Sequence, residues 1–285
     1  MTSFCQRYVL KGRTTLFTSL FLFLLSMGRA QTDQSGFELI FLSDDPSLSA
    51  VGKSKNGIKV GLWSYYSADS SFFQTGNYTE MGLKTGFWKV FIKGIERARI
   101  KYQDDTLSGA YQLFHTNRVG AVNANFKKGK LDGEWVSYTD RQRRYEKGQF
   151  ENGKRIGEWK SYYENGQVSI RSQYVNGFLE GSYKQYDPFG DLMIKTSYKA
   201  GQLEGEWSKL ENGSTLEEGK FVKGKRDGKW LYYEFFGTFA STVEYYVNGK
   251  RTGTWNSYHS IRRKSCESYY VDEQPVGIAI TWLYN

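Results

Sequence analysis

The groups in this 285-residue chain that could do chemistry are few, and their spacing is regular. His115 and His259 could act as acid and base if brought within hydrogen-bond reach of each other. Glu134, Glu158 and Glu206 each sit in a Gly-Glu-Trp segment, and two carboxylates held about 5 to 10 Å apart are the machinery of glycoside hydrolysis. Cys266 could supply a thiolate if its surroundings lowered its pKa. No zinc-ligand spacing, Walker phosphate loop or Gly-x-Ser-x-Gly elbow is present. Whether any of these groups meet depends on the elements that carry them.

Those elements are announced by glycine. Gly61, Gly86, Gly109, Gly133, Gly157, Gly181, Gly205, Gly228, Gly253 and Gly277 follow one another at intervals of 23 to 25 residues, a period that signals a tandem array. Two residues after most of them stands a tryptophan or tyrosine, as in Gly133-Glu134-Trp135 and Gly181-Ser182-Tyr183. Three residues later comes a second large apolar or aromatic residue, among them Tyr138, Tyr162, Tyr186 and Trp282. A third column, including Tyr102, Phe126, Phe150, Tyr174, Phe221 and Tyr246, stands seven residues before the glycine. The unit is aromatic-x-x-Gly-x-x-x-Gly-x-Trp-x-x-Tyr, with Asp105 and Glu273 replacing the earlier glycine in two copies and Ala279 replacing the tryptophan in the last.

Each unit reads as two short strands, because Tyr, Phe, Trp, Val and Thr dominate between the turn signals. One turn is tight, as at Asn152-Gly153 and Asn248-Gly249, where both residues tolerate a positive φ. The other is looser, as at Glu164-Asn165-Gly166 and Asp187-Pro188-Phe189-Gly190. The expected fold is all-β: an elongated single-layer antiparallel sheet of tandem β-hairpin repeats, stabilised by rings of neighbouring copies. Two strands per copy at about 4.8 Å each would place His115 and His259 roughly 60 Å apart, too far for a dyad. The Trp and Tyr columns are an odd number of residues apart, so either both faces carry aromatics or a bulge intervenes.

This pattern resembles the MORN repeat, in the variant form of bacterial families that include antitoxin-like ones. The resemblance covers residues 52–285 with ten copies, and implies a grooved sheet whose concave side receives peptides or helices, with contact to anionic lipid as another role of such repeats. Residues 31–51 form an N-terminal segment or degenerate capping repeat, since Gly36 and Phe37-Glu38-Leu39-Ile40-Phe41 fall one period before Gly61.

Residues 1–30 read as a secretory signal peptide: Arg7, Lys11 and Arg13 precede an apolar run from Leu16 to Leu25, and small residues follow at Gly28 and Ala30. The expected cut is after Ala30. It removes four basic residues and no acidic one, so a formal charge of +9 becomes +5. Only Cys266 then remains, and an intramolecular disulfide is impossible. Export and mild basicity argue against a nucleic-acid partner. No second run is long and apolar enough to span a bilayer, so the expected location is secreted, periplasmic or cell envelope.

The function expected is a non-catalytic repeat scaffold with an unknown protein partner. A glycan or an anionic lipid at the envelope is the alternative, and no cofactor or metal is implied. The expected partner-binding strip is Trp135, Tyr138, Trp159, Tyr162, Tyr183, Tyr186, Trp207 and Trp230, though the same rings also suit the core of the array. The tight turns should further align Lys59, Lys84, Lys128, Lys130, Lys154, Arg155, Lys223, Lys225, Arg226, Lys250 and Arg251 as a basic edge, interrupted by Asp132, Glu180, Glu204 and Asp227.

Overall fold

The computed structural model describes residues 48–234, 239–259 and 263–283. The expected signal peptide, and the capping segment up to residue 47, lie outside the described residues. From residue 48 onward the chain is one open antiparallel sheet with 23 strand segments and no helix among the described residues. Each strand pairs with its neighbours in sequence, so the layer grows hairpin by hairpin. Arg144–Glu151, for example, lies between Gly133–Tyr138 and Lys154–Tyr162. Three strands are briefly interrupted, as where Lys130–Leu131 and Gly133–Tyr138 both pair with Gly120–Lys127.

The tight turns have the expected chemistry. Asn152 and Gly153 take φ of 50° and 81°, and Asn248 and Gly249 take 53° and 84°, the pair of positive values that matches the twist of adjoining strands. Asp104 and Asp105 accept the same conformation without glycine, with φ of 48° and 59°, because a short polar side chain tolerates it.

The ten repeat glycines do something different. All of them have positive φ, yet they sit inside strands and not in turns. Around Gly157 the pairing steps from Lys147–Lys160 to Gln149–Ile156, so Gly157, Glu158 and Trp159 together oppose Gly148. This is a β-bulge repeated once per copy, and glycine is required because the bulged residue is left-handed.

In the first copy the pairing beyond the bulge is regular. Pairing runs unbroken from Trp63–Gly76 to Tyr66–Phe73, so residues three apart point to opposite faces. Trp63 is buried and Tyr66 is exposed. Both faces there carry aromatics. In the following copies a second register shift does fall between the two columns, as between Ser161 and Tyr162, but its extra residue, Ser169, belongs to the facing strand, so the strand that carries Trp159 and Tyr162 still alternates.

The core lies on the tryptophan face, where the first and third columns alternate edge to face. Phe150 stands 5.6 Å from Trp135 at 72° and 5.1 Å from Trp159 at 84°; Phe221 stands 5.0 Å from Trp230 at 84°. These are favoured aromatic geometries. Trp88, Trp135, Trp159 and Trp230 are shielded from solvent almost completely although the sheet has one layer.

Part of that shielding comes from a column of small residues that the sequence reading passed over. A Cβ placed at Gly76, Gly148 or Gly219 would lie 2.1, 2.1 or 2.3 Å from the ring of Trp88, Trp159 or Trp230. Each indole lies flat against bare backbone of the strand before it. The signal was legible as a glycine eleven or twelve residues ahead of those tryptophans.

Candidate functional site

The eight residues expected to form one strip divide between two faces. Trp135, Trp159 and Trp230 are buried in the ring ladder. Tyr183 and Trp207 belong to the same face and are half-buried. Tyr138, Tyr162 and Tyr186 are also half-buried, but three residues past the first column they lie on the opposite face. A single continuous strip is thus corrected to a buried column and a second column behind it, because side chains alternate along the strand that carries both.

The basic edge is corrected as well. Five of its members lie over the tryptophan ladder: Arg155 is buried, Lys84 and Arg226 are half-buried, and Lys59 and Arg251 stay exposed. The Arg155 guanidinium stands 3.8 Å above the Trp159 ring centre and that of Arg226 4.1 Å above Trp230. Arg251 stands 4.8 Å from Trp255, and the Lys59 and Lys84 ammonium groups stand 5.0 and 5.7 Å from Trp63 and Trp88. A cation over an indole face gains electrostatically, and more so when desolvated. In other copies the same position, two residues before the repeat glycine, holds Leu107, Leu131, Leu179 or Leu203. Lys128, Lys130, Lys154, Lys223, Lys225 and Lys250 are exposed as well.

The acidic residues that interrupted the expected edge have a local task. Glu180 Oε2 accepts from the Ala200 N–H at 2.7 Å, and Glu204 Oε2 from the Lys223 N–H at 2.8 Å. Each carboxylate satisfies a turn amide of the following copy. The turn glycines add a second bond of the same sense, as where Gly153 N–H donates to Leu131 O at 2.7 Å. Each such tight turn thus donates to the copy before it through both a side-chain and a backbone acceptor.

The histidines act along the other edge. His115 Nε2 lies 2.8 Å from Tyr138 O, and His259 Nε2 lies 3.2 Å from Trp282 O. Tyr163 Oη donates to Tyr186 O at 2.7 Å in the equivalent position. Each of the three fastens a loose turn to the second-column backbone of the next copy. They are staples between repeats, where the sequence suggested solvated turn residues.

Two of the three Gly-Glu-Trp carboxylates are likewise engaged: Glu134 pairs with Lys147 at 2.6 Å, and Glu158 with Lys160 at 2.7 Å and Arg171 at 3.3 Å. Among the described residues no three His, Cys, Asp or Glu side chains gather as a metal-ligand group, and no helix is long and apolar enough to cross a membrane.

No family model and no curated protein matches the chain. What the array can do must therefore be read from its own chemistry. A polar cluster gathers around Arg226, which donates to Glu217 Oε1 at 2.7 Å and to Tyr232 Oη at 2.6 Å, while Tyr246 Oη donates to Glu244 Oε2 at 2.9 Å. Burial, then the Glu244 carboxylate, holds the Tyr232 hydroxyl protonated well above the ordinary tyrosine range. A tyrosine nearby gives a measurable consequence. Burial and a 2.6 Å hydrogen bond to Glu218 push the Tyr233 hydroxyl up to about 12. A folded-state pKa raised above the unfolded value of about 10 means the folded chain holds that proton more tightly. Its contribution is complete below that pH and is lost as the pH rises toward about 12. The melting temperature of the wild type should fall across this interval, and Tyr233→Phe should flatten the fall, as read by thermal unfolding at each pH.

Proposed function

We propose that this chain is a non-catalytic, MORN-type repeat scaffold, exported to the cell exterior or envelope, that binds another protein along its open sheet. The observation that carries the reading is the second aromatic column. Tyr138, Tyr162 and Tyr186 repeat at one-copy intervals on the face opposite the tryptophan ladder, each incompletely covered. Amphipathic rings in a row are the composition that recognition surfaces favour. Among the described residues no second layer packs over that face.

The test is the triple variant Tyr138→Ser, Tyr162→Ser and Tyr186→Ser in the exported protein, assayed against its co-purified partner. Binding should fall at least tenfold while the melting temperature moves little. If the variant unfolds and its residual folded fraction binds normally, the tyrosines are structural and the docking face is elsewhere.

A second reading rests on the exposed lysines at the tight turns, which suit contact with anionic lipid at the envelope. Binding to phosphatidylserine vesicles would then weaken steeply with salt. Retention on a glycan matrix, with no protein partner, would favour carbohydrate instead.

A further inference from the structure

The last strand, Gln274–Thr281, pairs on one side with Lys264–Val271 and, among the described residues, with no strand on the other. All eight of its residues are exposed, and none is charged. Ser49–Lys55 is, among the described residues, also an outer strand, but it carries Lys53 and Lys55, and Lys55 pairs with Glu80 at 3.3 Å. Lysines on an edge are the usual guard against unwanted pairing. One end of the array is guarded and the other is not.

The unguarded strand also departs from the repeat in what it shows to solvent. Ile278, Ile280 and Trp282 are 88, 45 and 39 % exposed. A central copy places Glu158, Lys160 and Tyr162 at the same three positions. The Trp282 N–H donates inward to Ser265 O at 3.0 Å. By the alternation of an antiparallel ladder, Ala279 and Thr281 turn their N–H and C=O groups toward the open side.

We propose that two copies of the chain join by antiparallel pairing of this strand about a twofold axis at Ile280. Ala279 of one copy exchanges backbone hydrogen bonds with Thr281 of the other, and the reverse. The axis stands perpendicular to the sheet, so both exposed rows stay on one side. Ile280 then faces its own symmetry mate, and Ile278 faces Trp282 of the second copy. Apolar residues directly across a non-hydrogen-bonded pair approach closest and stabilise the ladder. The contact uses the same patch on both copies, so it closes at two. Among the described residues the lysine-bearing strands are left at the two far ends, which disfavours growth into a filament.

Sedimentation velocity of the full chain at micromolar concentration tests this. The wild type should sediment at twice the monomer mass. Ile280→Lys and Ile280→Glu should each sediment as monomers, because each sets like charges against one another on the axis, and an equimolar mixture of the two should recover the dimer. Ile278→Lys alters a side chain almost wholly in solvent, so its fold is preserved, and it should weaken the dimer at least tenfold. A monomeric wild type overturns the proposal. So does a dimer that survives Ile280→Lys, or a mixture that stays monomeric.

Discussion

Removing one carboxylate, in Glu146→Ala, is expected to destabilise the array by about 3–5 kcal/mol, the cost of stranding a buried charge. Arg155 and Glu146 are 6 and 8 % exposed, and they join through two hydrogen bonds of 3.0 and 3.1 Å. The guanidinium lies over Trp159, so it cannot swing into water without uncovering the ring. The opposite change should be mild. Two copies place a glutamate eleven residues before the repeat glycine and an arginine two before it, Glu146 with Arg155 and Glu217 with Arg226; three others place apolar residues at both, Val122 with Leu131, Ile170 with Leu179 and Ile194 with Leu203; Arg251 stands with Thr242. Arg226 and Glu217 also pair, at 2.7 Å. The double variant Glu146→Ile with Arg155→Leu therefore installs a solution already used by the neighbouring copy. It should lie within about 1.5 kcal/mol of the wild type, since an apolar pair of similar volume often replaces a buried ion pair at little cost. Thermal or urea unfolding of both singles and the double closes the cycle. Additive losses in the double would show that the two columns are independent.

Gly148→Ala is expected to cost about 2–3 kcal/mol, the range of an overpacked core, although it adds one methyl group. The new Cβ would lie 2.1 Å from Trp159 Cδ2. The indole cannot retreat: Arg155 covers its far side, Phe150 meets it edge-on, and its Nε1–H donates to Gln149 O at 3.2 Å. Ala124 and Thr196 stand in the same column before Trp135 and Trp207, so the sheet admits a side chain where the backbone has been set for it. The cost at Gly148 is that of local adjustment. For an array of this length the melting temperature should fall by roughly 4–12 °C. Gly120→Ala is the control, because no atom lies within 4 Å of its added Cβ and its φ is not left-handed. Pairing Gly148→Ala with Trp159→Tyr approaches the native combination of Ser172 and Tyr183 and should recover part of the loss. A melting temperature unchanged by Gly148→Ala would mean that the ring is free to move and that the flat seating is incidental.

The period, the strand content and the tight turns were legible in the sequence because each is local. A 24-residue interval, a β-branched and aromatic composition and an Asn-Gly pair fix hairpins without reference to anything distant. From them the open antiparallel sheet follows, since each strand has only its sequence neighbours to pair with. The presence of aromatics at fixed spacing was legible too. Their division between faces was not. It depended on whether the repeat glycine bulged the strand before the tryptophan or after it, and Gly157 and Trp159 are compatible with either until the pairing of Lys147 with Lys160 is known.

The destination of the charges was likewise decided in three dimensions. Lys59, Lys84, Arg155, Arg226 and Arg251 adjoin hydrophilic turns and read as an exposed row, yet the strand turns them onto the indole face. His115 and Glu204 read as solvated loop groups, and become partners of backbone one copy away, 23 and 19 residues along the chain. A sequence read one repeat at a time shows what each copy contains. Only the stacked sheet, with the next copy about 10 Å further along, brings a carbonyl, an amide or a ring within reach of these side chains and settles which of them are buried.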